Sequence, residues 1–185
     1  GACPVREGAG GGGRVTTGWP EGVASDRSAC TRSGGERIHR FACERASKRP
    51  RKHLTLVTKS NAQRHGMVMW DQIFYEVAKD YPQVETQRVL VDAITTQMVL
   101  KPYMLDTFVA TNLHADILSD LAAALSGSLG IAPTANLNPE RTFPSMFEPI
   151  HGSAFDIKGK GIANPIATFW TQTLMRATRS EKEAG

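Results

Sequence analysis

Hydrophobic residues are spaced unevenly along the chain, and the spacing divides it into segments. Residues 1–34 show almost no apolar period and are rich in Gly, Ser and Thr, which predicts loop or poorly ordered chain. From Glu36 the pattern sharpens. Ile38, Phe41 and Ala42 share one helical face, while Glu36/Arg40 and Glu44/Lys48 pair four apart on the other, predicting a helix as far as Pro50. LTLVT (54–58) alternates apolar and β-branched residues and predicts a strand. Met67, Trp70, Phe74, Val77 and Tyr81 recur every three or four residues, a helical stripe closed by Pro82. RVLV (88–91) predicts a short strand, Ala93–Leu100 a helix, DTFVAT (106–111) a strand, and Asn112 the N-cap of a helix to about Leu125. In that helix Leu113, Ile117, Leu118 and Leu121 are assigned to the core.

Helices and strands alternate, so the expected class is α/β, with helices packed on a sheet. Beyond Ser126 the stretch SGSLGIAPTANLNPERTFP reads as loop, MFEPI (146–150) as a short strand, and a last helix starts near Asn164–Pro165. The organisation expected is a divergent segment 1–34, a domain 35–175 and a charged tail 176–185.

Composition narrows the class. A chain of 185 residues that is 41% hydrophobic can bury one proper core, and no apolar run is long enough to span a membrane. It opens on Gly1, with no charged and apolar leader pattern, so no secretion signal is read. Cysteines are few and odd in number (Cys3, Cys30, Cys43) with no C-x-x-C, which disfavours a disulfide framework or a zinc site and fits the reducing cytoplasm.

The net charge of +4 is local: residues 1–52 hold 11 Lys and Arg against 5 Asp and Glu, the remainder 11 against 13. Its densest run, RASKRPRK (45–52), reads as a solvated helix end complementing the dipole rather than a phosphate-binding patch. Without interleaved aromatics, nucleic acid is not an expected partner. GAGGGG (8–13) satisfies G-x-G-x-x-G as a string, yet no strand precedes it and no amphipathic helix follows, so it is not read as a dinucleotide fingerprint.

Three predicted strands run into polar residues: Lys59, Asp92, and Asn112 with Asp116 and Asp120 beyond it. Ligands of open α/β sheets bind at carboxyl strand ends. Asp116 and Asp120, one helical turn apart, could clamp a divalent cation with Asp92 as a further ligand; equally, Asp116 could favour the helix dipole while Asp120 faces water. Lys59 could be a snorkelling surface residue or a proton-transfer group. The loop EPIHGSAFDIKGKGIANP (148–165) could wrap a ligand, with Asp156 accepting from a ribose hydroxyl, or be ordinary surface.

Taken in order, TKSNAQRHG, LVDA, NLHADILSD and GSLGIAPTANLNPERTFPSMFEPIHGSAFDIKGKGIANP resemble the metal-dependent β-decarboxylating dehydrogenases, the isopropylmalate/isocitrate dehydrogenase family, and within it the tartrate/D-malate branch. The resemblance implies a partial isopropylmalate dehydrogenase-like fold, not a Rossmann fold, with helices on a mixed sheet. It implies Mg²⁺ or Mn²⁺ held by Asp116 and Asp120, with Asp92 arriving from a neighbouring subunit of a homodimer. Lys59 is implied as catalytic and Asn61 as lying near the nicotinamide. His151, Gly152, Ser153 and Ala154 match an NAD-binding loop, Asp156 a ribose contact favouring NAD over NADP, and Asn164 an adenine contact. The implied reaction is oxidation and decarboxylation of a small 2-hydroxy acid such as D-malate or tartrate.

Alternatives are a 3-isopropylmalate dehydrogenase and a non-catalytic, dimerising chain. Departures motivate the second: the amino-terminal half with its arginines is not seen, Gly8 falls where a tyrosine is expected, the first tyrosine is Tyr75, and the final helices after Met175 are missing. Ala115 also stands where Gly is usual. This chain is accordingly expected to be inactive alone.

Overall fold

The computed structural model describes residues 13–15, 23–25, 28–127 and 129–180. Among these, the elements run β1 (Gly13–Val15), β2 (Val23–Ser25), α1 (Arg32–Ser47), β3 (His53–Thr58), α2 (Gly66–Ala78), β4 (Glu85–Leu90), α3 (Val91–Leu100), β5 (Thr107–Val109), α4 (Asn112–Leu125), β6 (Pro133–Asn136), β7 (Met146–Pro149) and α5 (Ile166–Ser180). The α/β class holds, with strands running in both senses: β4-β3-β5 form a parallel sheet, whereas β1-β2 and β6-β7 are antiparallel pairs. The chain divides into two compact units within α4, one reaching Ala115 and one starting at Asp116.

In the first unit β3 is the central strand, and it is buried from Leu54 to Thr58. Its Leu54 and Leu56 pack with Ala42, Cys43 and Ala46 of α1 and with Trp70, Ile73, Phe74 and Val77 of α2. Neighbouring residues point to opposite faces of a strand, so burial of the whole run means that both faces are covered. β5 pairs with β3 only up to Leu56; beyond it the Val57 carbonyl accepts the buried Trp70 indole N–H at 3.2 Å. β4 starts three residues before the predicted strand because its polar first half, ETQ, lies along an edge and is held by backbone pairing, His53 opposite Glu85.

Helix α1 starts at Arg32, earlier than its apolar period shows. Thr31 caps it by accepting from Gly34 N at 3.2 Å, and Gly34 and Gly35 are buried. A Cβ on Gly35 would lie 3.1 Å from Ile73 Cδ1, so glycine permits the close approach of α1 to α2. Segment 1–34 is therefore partly structured, by β1-β2 and this first turn; Gly8–Gly12 of GAGGGG and the first tyrosine-equivalent position lie outside the described residues.

The basic run 45–52 proves structural in part. Arg51 donates to the carbonyls of Tyr103, Leu105 and Met104 at 2.9, 2.9 and 3.2 Å. Arg49 Nε donates to Asp106 Oδ1 at 2.6 Å.

In the second unit α5 packs on the β6-β7 pair. β6, PTAN, lies inside the stretch read as loop; its opening Pro133 sits opposite Pro149 at the end of the pair, where no ladder donor is needed. The connection is tied by Asn138, whose Nδ2 donates to Thr142 Oγ1 and the Phe143 carbonyl, both at 3.1 Å. α5 continues to Ser180, so residues 176–180 are helical, and 181–185 lie outside the described residues. Among the described residues no helix is long and apolar enough to cross a membrane.

Candidate active site

The parallel sheet presents three strand ends on one side. Lys59 directly follows β3, Asp92 lies in the first turn of α3 directly after β4, and Thr111 follows β5. β3 and β4 pair as far as Thr58 opposite Leu90, so the residues just beyond them meet. Lys59 Nζ donates to Asp92 Oδ1 at 2.5 Å. That hydrogen bond, aided by the helix's own backbone, holds the Asp92 carboxyl below its ordinary range. The lysine side chain is 27% exposed and the aspartate 65%, so a ligand reaches the pair from the aspartate side.

Asn61 is exposed in the turn after Lys59, where Ala62 N and Gln63 N both donate to the Lys59 carbonyl at 2.9 Å. Lys59 and Asn61 are thus offered by one tight turn.

At the third strand end the helix cap falls one residue before the predicted Asn112: Ala115 N donates to the Thr111 carbonyl at 2.8 Å. Thr111 Oγ1 lies 3.3 Å from Nδ1 of the buried His114. Burial first, and the nearby Lys59 charge second, push the His114 imidazole down from its ordinary value. A histidine on an apolar helix face gives no separate signal in the sequence, so His114 emerges only from the fold.

Around Asp116 and Asp120 the helical surface differs from expectation. His114 and Leu118 are buried, whereas Leu113, Ile117 and Leu125 are exposed. Leu113 and Ile117 are therefore not core residues in this chain; they form an apolar stripe on the surface of α4. Asp116 and Asp120 are exposed as well, and neither carboxylate has an ion pair or a hydrogen-bonding side-chain partner among the described residues. Ala115 sits in the helix with ordinary negative φ, so the extra methyl does not strain this turn.

The second unit also carries the loop expected to bind NAD. His151, Gly152, Ser153, Ala154 and Asp156 are all exposed, and a Cβ at Gly152 would meet nothing within 4 Å. His151 Nδ1 donates to the Gly152 carbonyl at 3.0 Å. Ala154 adopts a left-handed backbone, φ 43°, immediately before the 3₁₀ turn Phe155–Ile157 that carries Asp156. Asn164 Oδ1 accepts from Ile166 N at 3.0 Å and so caps α5.

Two groups of predicted residues therefore emerge. Lys59, Asn61 and Asp92 are brought together in the first unit; Asp116, Asp120, the 151–156 loop and Asn164 belong to the second. The carboxylates of Asp116 and Asp120 are hard, uncommitted oxygen donors of the kind Mg²⁺ or Mn²⁺ prefers. Among the described residues no group of three or more His, Cys, Asp or Glu could hold a metal ion, so they fit a cation only as part of its ligand set.

Residues 5–184 match the isocitrate/isopropylmalate dehydrogenase family, and the chain belongs to it. It is 65% identical over 173 residues to a probable tartrate dehydrogenase/decarboxylase of Agrobacterium vitis, which covers 94% of this chain and 48% of the relative. It is 51% identical over 164 residues to the decarboxylating D-malate dehydrogenase of Escherichia coli, covering 89% of this chain and 45% of the relative. The fold matches a crystal structure of isocitrate dehydrogenase from Methylococcus capsulatus with a TM-score of 0.81 at 42% identity, covering 88% of this chain and 47% of that one. The chain thus spans about half the length of the curated relatives it matches.

Proposed function

We propose that this chain carries the lysine, metal-binding and NAD-binding elements of a decarboxylating dehydrogenase acting on a small 2-hydroxy dicarboxylic acid such as D-malate or tartrate. The observation that carries the reading is the Lys59–Asp92 pair at the carboxyl edge of the parallel sheet, in a chain similar to relatives named for those two activities.

Asp116 and Asp120 would hold Mg²⁺ or Mn²⁺, with Asp92 of a second copy completing the protein ligands. The cation supplies Lewis acidity where negative charge develops on substrate oxygen, and NAD supplies the hydride acceptor. A neutral Lys59, released from Asp92 once that carboxylate is engaged elsewhere and its own proton given up, would take the proton of the substrate's C2 hydroxyl. Asn61, presented by the same turn, would meet the nicotinamide end of NAD. His151–Ala154 offer exposed backbone to the cofactor, and the negative charge of Asp156 favours a free 2′-hydroxyl over a 2′-phosphate.

A homodimer accords with this sharing of ligands. Val99, Leu100 and Tyr103 leave apolar surface at the end of α3, as do Leu113 and Ile117 on α4; such surface suits a partner subunit. Since the chain spans about half its relatives' length, we expect negligible turnover from it alone.

Calorimetric titration with Mn²⁺ tests the metal reading. Loss of even an outer partner of a bound metal typically weakens binding by about tenfold or more, so Asp116→Asn/Asp120→Asn should lose at least that. Equal affinity in both proteins sinks the metal site. Steady NAD reduction with D-malate by the isolated 185-residue chain would show the expectation of inactivity to be wrong.

A further inference from the structure

Asp71 stands in the middle of α2, among the core residues Trp70, Ile73 and Phe74, and is only 8% exposed. Its Oδ2 accepts from Ser60 Oγ at 2.7 Å and from an Arg88 guanidinium N–H at 3.1 Å. The same Arg88 nitrogen lies 3.3 Å from Ser60 Oγ, closing a triangle. Asp71 Oδ1 is buried with no hydrogen-bond partner.

This arrangement is poor for stability alone. A buried carboxylate with one oxygen unsatisfied, paired with an arginine that is itself half exposed, is commonly outdone by an apolar side chain of the same size. The anchoring points explain its presence. Ser60 directly follows Lys59, and Arg88 lies in β4, opposite Leu56 of β3 and four residues before Asp92. One buried carboxylate therefore grips both strands whose ends deliver the lysine and the aspartate. Ser60 N also donates to Thr58 Oγ1 at 3.3 Å, which fixes the turn from its other side.

We infer that Asp71 is a positioning residue: through Ser60 and Arg88 it sets the end of β3 against β4 and so holds Lys59 on Asp92. The inference rests on Lys59 being the reactive lysine of the proposed function and adds what keeps it in place. An apolar core at position 71 would leave the turn carrying Lys59 and Asn61 held by its local bonds to the Lys59 carbonyl and Thr58 Oγ1 and by the long Arg88–Ser60 contact, without the carboxylate that fixes Ser60 and Arg88 together.

Zero-length carbodiimide coupling reads the contact directly in the intact chain, because an amide forms between Lys59 Nζ and the Asp92 carboxyl only while they touch. The yield of the coupled peptide is quantified by mass spectrometry. Asp71→Leu, which fills the space without accepting a hydrogen bond, and Ser60→Ala should each lower the yield severalfold. Ser60→Thr, which retains the hydroxyl, should restore it, and Ile73→Val, which thins the core on the same helix without touching the triangle, should leave it unchanged. Wild-type yield in Asp71→Leu and Ser60→Ala overturns the inference, as does an equal loss in Ile73→Val. The coupling reads geometry and the Mn²⁺ titration reads the metal, so failure of one is distinguishable from failure of the other.

Discussion

His39 makes the stability of the first unit depend on pH. The ring is fully buried between α1 and α2, with its centroid 4.0 Å from that of Trp70 and 5.3 Å from that of Phe74. Neither ring nitrogen has a hydrogen bond of normal geometry. Burial pushes its pKa from 6.5 down to about 4, against smaller upward pulls from the Trp70 backbone and the Asp71 carboxylate. The folded state therefore holds the imidazole neutral. Between about pH 6.5 and about 4 the unfolded chain takes up a proton that the folded chain refuses, so acid favours unfolding. The contribution is complete above the unfolded value and declines as pH falls through this window. At about 1.4 kcal/mol for each tenfold change in proton affinity, the full loss is about 3 kcal/mol. That is a large share of the stability of an ordinary domain.

The perturbation is His39→Leu, which removes the titrating group at similar volume. Urea unfolding followed by circular dichroism is compared at neutral pH and at about pH 4, the lower end of the window. Carboxylates titrate alike in both proteins, so the difference between wild type and variant isolates His39. Wild type should lose about 3 kcal/mol more than the variant. At neutral pH the substitution should be close to neutral, since two unsatisfied buried nitrogens leave together with the aromatic contacts. Parallel pH profiles for the two proteins would refute the reasoning.

Arg49→Ala strips from Asp106 the guanidinium bonded to its carboxylate, whose side chain is 2% exposed and whose Oδ2 has no partner among the described residues; unfolding midpoints should show a loss of about 3 kcal/mol, largely regained in Arg49→Ala/Asp106→Asn. Thr31→Ala removes the α1 cap and should cost about 1 kcal/mol by the same measurement, whereas Thr31→Ser should not. Leu100→Glu and Ile117→Glu place charge on two exposed apolar positions; light scattering should show weakened self-association, and an unchanged molar mass would contradict the homodimer.

Much of the first unit was legible because its elements carry strong periods. The stripe of Met67, Trp70, Phe74 and Val77 announced α2, and LTLVT announced β3, whose burial leaves no choice but a central strand. What stayed hidden had a physical reason in each case. The first turn of α1 holds Gly34 and Gly35, which have no apolar side chain to show, yet both are buried and Gly35 fits tightly against Ile73. The outer half of β4 and all of β6 are held by backbone pairing along short edges, which their polar or proline-containing sequences do not reveal. Leu113 and Ile117 look like core residues because an exposed apolar stripe and a buried one have the same period.

The sequence by itself determined the alternation of helix and strand, the polar residues at the strand ends, and the motifs TKSN, LVDA, NLHADILSD and HGSAFD that tie the chain to its family. Only the tertiary structure decided which of these meet. Lys59 and Asp92 are 33 residues apart and touch because β3 and β4 pair in parallel and in this register. Asp71, Ser60 and Arg88 form one triangle because α2 packs over that same sheet. Periodicity reports on local chain geometry, whereas contacts between distant residues follow from strand register and helix packing, which no single stretch of the chain contains.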